Sequence, residues 1–208
     1  MTPDKSIRRR AHEGAKDAGK MIKPVAVFLW KKLDFPGHDS CRLFKLAHGW
    51  RLTGAAVFLD NDRPCHLQYD VAVDGTWKTR SAKVSGYIGR KAFDVRIAAA
   101  GAGRWQFNGV PAKSVSGCVD VDFGFTPATN LIVLRRLALK VGQRAEAPAA
   151  YLKFPEMRLV NLPQTYLRTG KIEYEYEAPT VGYAGTLHVL PGGAVSRYPG
   201  LFEMVASG

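Results

Sequence analysis

The stretch Leu67-Gln68-Tyr69-Asp70-Val71-Ala72-Val73-Asp74 sets Leu67, Tyr69, Val71 and Val73 at alternate positions, with Gln68, Asp70 and Ala72 between them. Successive side chains of an extended chain point to opposite sides, so a period of two predicts a strand with one apolar and one polar face. The alternation returns at Phe93, Val95 and Ile97, at Trp105 and Phe107, at Val119, Val121, Phe123 and Phe125, and at Ile172, Tyr174 and Tyr176. Turn-forming residues separate these runs: Asp60-Asn61-Asp62, Asp74-Gly75, Gly101 to Gly103, Asn108-Gly109, Thr169-Gly170 and Pro191-Gly192-Gly193. Short strands with such punctuation predict an antiparallel meander, sandwich or barrel rather than a series of parallel βαβ units. The reading is all-β.

One stretch fits two patterns. Asn130 to Leu139, NLIVLRRLAL, has helical spacing through Leu131, Leu134 and Leu137, with Thr129 or Asn130 as N-cap. It has strand spacing through Leu131, Val133, Arg135, Leu137 and Leu139. The expectation is a short turn followed by a strand.

Composition bounds the rest. The chain has 208 residues, 46% hydrophobic and 23% charged, ordinary for a globular protein and too apolar for a disordered one. No run approaches the ~18 apolar residues of a membrane span. The apolar stretch Val25 to Trp30 runs into Lys31 and Lys32 and is too short for a secretory signal. Cys41, Cys65 and Cys118 are too few for a disulfide framework and lack zinc-ligand spacing, which predicts inert thiols in a reduced, cytoplasmic protein. Residues 1–24 hold seven Lys/Arg and almost no large apolar side chain, so a mobile basic tail is expected before one all-β domain over 25–208. Met21 is an alternative start.

Chemistry-bearing patterns are sparse. The five histidines are dispersed, and no nucleophile elbow, phosphate-binding loop or dinucleotide fingerprint occurs. No metal and no cofactor is expected. Asp120 and Asp122, two apart on a strand, share a face some 7 Å apart, which suits an acid-base pair or a structural network with Arg135, Arg136 or Arg80. The net charge of +12 fits any anionic partner, but no RNA-binding motif accompanies it, so nucleic acid is not expected. A large curved sheet rich in Tyr, Phe and Trp can instead leave an apolar cavity for an amphiphile, or use the same rings simply to fill its core.

At Gly117 to Leu137 the run GCVDVDFGFTPATNLIVLRRL resembles the signature of the bacterial putative glycolipid-binding protein family, first defined as a domain of unknown function. The matching positions are Gly117-Cys118, Asp120, Asp122, Thr126-Pro127, Thr129-Asn130 and Arg135-Arg136-Leu137. Flanking matches follow in order at Trp30, Tyr69-Asp70-Val71, Trp77 to Arg80, Trp105, Asn108-Gly109, Gln164-Thr165-Tyr166 and Tyr198 to Phe202. Where that family carries a Pro before the double Arg, this chain has Val133-Leu134.

The resemblance implies a strongly curved antiparallel sheet or incomplete barrel, similar to lipoprotein-carrier folds, with little helix. It also implies non-catalytic binding of a glycolipid or fatty-acyl compound. The candidate ligand-binding residues are Asp120, Asp122, Asn130, Arg135, Arg136, Gln164, Tyr166, Trp77 and Arg80. The alternative is a hydrolase or isomerase acting on a lipid-like or sugar-like substrate with Asp120 and Asp122 as acid and base.

Overall fold

The computed structural model describes residues 23–208. The segment expected as a basic tail lies outside the described residues, apart from Lys23 and Pro24. The chain opens with a meander of long strands: β1 (Ala26–Lys32), β2 (Gly37–Leu46), β3 (Gly49–Asp60), β4 (Arg63–Asp74), β5 (Thr79–Ile88) and β6 (Lys91–Ala99). Two short strands, β7 (Trp105–Phe107) and β8 (Val110–Pro111), end this half. A central segment follows: β9 (Asp120–Phe123), the helix α1 (Asn130–Leu137), β10 (Arg144–Glu146), β11 (Ala149–Lys153) and β12 (Arg158–Leu162). The chain closes with β13 (Thr165–Arg168), β14 (Glu173–Ala178), β15 (Tyr183–Val189), β16 (Val195–Tyr198) and β17 (Phe202–Ser207).

Fourteen strands form one antiparallel sheet in the order β10-β13-β14-β15-β16-β17-β1-β2-β3-β4-β5-β6-β7-β8, which does not close into a barrel. Strands far apart in that order meet on the same segment. Thr126 bonds Asp39 of β2, while Asn130 bonds Tyr166 of β13. The sheet therefore wraps around residues 118–134 as a trough around its filling. Leu67, Tyr69, Val71 and Val73 all face this interior and are buried, as their alternation requires. Asn61 and Asp62 turn the β3–β4 hairpin with φ of 47° and 61°, the left-handed pair that a two-residue hairpin needs. The three cysteines are free and buried.

The filling departs from the sequence expectations in two ways. Residues 130–137 form helix α1, not a turn and a strand. A helix satisfies the backbone of this buried segment internally, without a partner strand. Asn130 to Leu134 are buried together, Arg135 and Arg136 sit in the last turn where cations favour the helix dipole, and Ala138 ends it in the left-handed conformation. The second departure is that β9 is buried on both faces, where one polar face was expected. It belongs to a separate three-stranded sheet, β12-β11-β9, in which β9 and β11 run parallel. Their crossover contains α1, and such strands are covered on both sides.

Gly54 in β3 makes room for the ring of Tyr69 on β4, since a Cβ there would lie 2.2 Å from Tyr69 Cζ. Gly54→Ala should therefore overpack the trough and cost about 1–3 kcal/mol. Urea unfolding checks this, and a variant as stable as the parent would show that the Tyr69 ring can leave this position at little cost.

Candidate ligand-binding site

Around β9 and the N-terminus of α1 lies a cavity of about 340 Å³. Tyr151, Tyr176, Tyr183, Tyr198 and Phe202 supply its aromatic walls, and Asp122, Thr126 and Asn130 its polar lining. Tyr176 and Tyr198 meet edge to face at 5.8 Å between ring centres, and Tyr183 and Tyr198 at 4.8 Å. Gly124 and Gly185 lack the side chains that would collide with Tyr151 and Tyr183. Burial pushes the Tyr151 hydroxyl up to about 12 and raises Tyr176 and Tyr198 as well, so these walls carry neutral hydroxyls at ordinary pH. The mouth opens beside exposed Val181 and Gly182.

A chain of donors converges on the Asp122 carboxylate. Asn130 Nδ2 donates to Tyr166 Oη at 3.0 Å, and Tyr166 Oη donates to Gln164 Oε1 at 2.9 Å. Gln164 Nε2 donates to Asp122 Oδ2 at 3.3 Å, and Thr129 Oγ1 donates to Asp122 Oδ1 at 3.2 Å. Burial nevertheless raises the Asp122 carboxyl from 3.8 to about 6, because these hydrogen bonds recover only part of its lost hydration. A carboxylate has about four acceptor positions, so ligand donors can still be received.

Asp120 is completely buried and receives Arg136 Nε at 2.9 and 3.0 Å. Neither residue is among those lining the cavity. Arg135 projects in a different direction from α1 and lies 5.6 Å from the Trp77 ring, which itself stacks on Trp50 at 4.9 Å. Arg80 pairs with Asp74 at 2.7 Å on the β4–β5 turn. Of the nine candidates, Asp122 and Asn130 thus line the cavity, and Gln164 and Tyr166 join them by hydrogen bonds from behind it. Asp120 and Arg136 form a neighbouring ion pair, and Trp77, Arg80 and Arg135 stand apart.

Sequence reasoning passed over the tyrosine walls and a further buried carboxylate, Asp39. Tyr69 Oη donates to Asp39 at 3.0 Å, and the Thr126 hydroxyl donates to it as well. Burial lifts the Asp39 carboxyl from 3.8 to about 7. A signal existed: Asp39 shares the strand phase of Cys41 and Leu43, both core residues.

A larger depression of about 510 Å³ lies on the outer face of β2–β5, lined by polar residues including Arg42, Gln68, Asp70 and Lys83. Its Asp70 and Lys83 are already paired, with Arg51 and Asp94, and it lacks an apolar wall for an amphiphile.

The model of the family described as "Putative glycolipid-binding" matches residues 27–204. The chain belongs to this family. A similar solved structure is that of a DUF1089 family protein from Pseudomonas aeruginosa. It is 27% identical, with a TM-score of 0.71 over 89% of this chain and 96% of that one. No curated protein matches the chain. Among the described residues of this glycolipid-binding family member, no group of three or more His, Cys, Asp or Glu could hold a metal ion. No described helix is long and apolar enough to cross a membrane.

Proposed function

We propose that the chain binds a glycolipid or related amphiphile without chemical change, its polar head entering the tyrosine-walled cavity. The observation that carries this reading is the placement of Asp122, Thr126 and Asn130 in an aromatic enclosure. Hydroxyls of a sugar head donate to the Asp122 carboxylate in charge-assisted bonds, while its C–H faces pack on the tyrosine rings. At about 340 Å³ the cavity is near the small end of ligand pockets, roughly 300–1,000 Å³. It suits a head group and the start of a tail rather than a whole lipid. The rest of the tail passes out over Val181 and Leu201, with exposed Leu33 hydrogen-bonded through its backbone to Leu201.

The alternative, an acid-base enzyme using Asp120 with Asp122, has less support. It needs both carboxylates at the substrate, and Arg136 occupies both oxygens of Asp120.

Native mass spectrometry followed by solvent extraction is the direct test, with an acyl-bearing glycoside as the expected adduct. Titration with octyl glucoside below its micelle concentration, set against octanoate, tests the head. The glucoside should bind more tightly. Asp122→Asn should weaken its binding by about tenfold or more, the scale of a lost bond to a charged group. A clean unliganded mass together with no binding of glycosides or fatty acids would sink the reading.

A further inference from the structure

Three elements that build the cavity with one end build a second depression with the other. Asn130 of α1, Tyr176 of β14 and Tyr183 of β15 line the cavity. Arg135 of α1, Tyr174 of β14 and Val189 of β15 line a concavity of about 200 Å³ at the opposite end of the trough. Arg168 and Lys171 complete its charged lining, and no acidic residue takes part. Among the described residues, none of these three cations lies within 4.0 Å of a carboxylate.

One of the cations is oriented in advance. Arg168 donates through Nε to Gly170 O at 3.1 Å, through Nη1 to Leu139 O at 2.7 Å and through Nη2 to Lys171 O at 2.7 Å. These bonds fix the guanidinium plane but supply no counter-charge, and they leave part of its five-donor fork free. Arg135 lies between the Trp77 ring and the Gly193 backbone, where a Cβ would sit 3.6 Å from its Nε. Lys171 is exposed on the 169–172 turn and free to swing over the opening. Three like charges around one hollow repel one another, the carbonyl end of α1 offsets this only in part, and an entering oxyanion offsets the rest through the fixed guanidinium of Arg168 and the neighbouring Arg135.

We infer that the hollow between the C-terminal turn of α1 and the Pro191-Gly192-Gly193 turn binds a small oxyanion, foremost a phosphoryl group, through Arg135, Arg168 and Lys171. This site is independent of the glycolipid reading of the cavity.

The test melts the full chain in sodium phosphate and in sodium chloride of equal ionic strength, and titrates inorganic phosphate by calorimetry. A saturable rise in melting temperature specific to phosphate is expected. Arg135→Gln and Lys171→Gln should each weaken phosphate binding by about tenfold, and the double variant should abolish the rise. Both side chains are exposed, so the double variant's melting in chloride, read in the same experiment, separates loss of the site from loss of the fold. Vesicles of phosphatidylglycerol in phosphatidylcholine form the second arm. Binding to them that needs Arg135 and Lys171, without a response to free phosphate, supports the site with a lipid headgroup as the phosphoryl source. A phosphate effect matched by chloride with no vesicle binding, or any response unchanged in the double variant, overturns the proposal.

Discussion

Arg136→Ala is expected to cost about 3–5 kcal/mol of stability at pH 7, the scale for removing one partner of a buried ion pair. Asp120 has no solvent exposure, and Arg136, reaching in from α1, is partly shielded. Burial raises the Asp120 carboxyl, and the guanidinium opposes that rise. Without Arg136 the buried charge stands alone, and the carboxyl moves further up. The sign of the pH dependence follows. A carboxyl with a raised folded-state pKa stabilises fully below its unfolded value, and that stability is lost as pH rises through the folded value. The variant should thus regain much of its deficit near pH 4. Guanidinium unfolding at pH 4 and pH 7 checks both parts, and a deficit equal at the two pH values would remove the ion pair as its cause. Asp120→Asn in the parent should be milder, since it leaves no unpaired carboxylate. The same pair ties α1 to β9, so its loss loosens the helix that places Asn130 at the cavity.

The contrast between Arg135 and Arg136 shows what the sequence makes legible. Both stand in the family motif, and either could serve Asp120 in an extended chain. On a helix the two are rotated by about 100°, so Arg136 meets Asp120 while Arg135 faces Trp77 and the far hollow. Residues 130–139 satisfy both periods, and only the enclosing trough decides between them. Of the long strands, β4 and β6 were legible because Leu67 to Val73 and Phe93 to Ile97 carry one period and turn residues separate the runs. The cavity was less so. Asp122, Asn130, Gln164 and Tyr166 lie in conspicuous polar motifs, whereas Tyr176 reads as ordinary strand alternation, Tyr183 falls in no pattern and Tyr198 enters only through the family match. Their convergence is set by register: Tyr176 faces Gly185 across the β14–β15 ladder, which leaves space beside the Tyr183 ring. No local pattern carries that information.

Stability should fall as pH rises from about 4 to 8, the reverse of ordinary acid unfolding. Asp39 and Asp122 flank the same segment, one bonded to Thr126 and the other to Thr129. Burial raises them from 3.8 to about 7 and about 6. Each therefore holds its proton more firmly in the folded chain than in the unfolded one. The stability each contributes is complete below pH 3.8 and is lost as pH climbs through its folded value. At 1.36 kcal/mol for each tenfold in proton affinity, the loss is about 4 kcal/mol for Asp39 and about 3 kcal/mol for Asp122. Carboxylates with lowered pKa values, Asp74 bonded to Thr76 and Lys78, Asp94 beside Lys83 and Glu156 beside Lys153, act the other way, chiefly as pH falls through their ordinary values of 3.8 and 4.5. The window between pH 4 and 8 thus belongs to the buried acids, with Asp120, whose carboxyl burial also raises, acting in the same direction as Asp39 and Asp122. Asp39→Asn keeps the shape and cannot ionise, and Tyr69 and Thr126 hydroxyls can accept from its amide. Its unfolding free energy should change less between pH 5.5 and 8 than the parent's and exceed it at pH 8. A parent whose stability is level or rising over that range would show that Asp39 and Asp122 are ionised at ordinary values. Asp122 would then stay ionised down to its ordinary value of 3.8, and its charge-assisted bonds to a sugar head would persist to that pH.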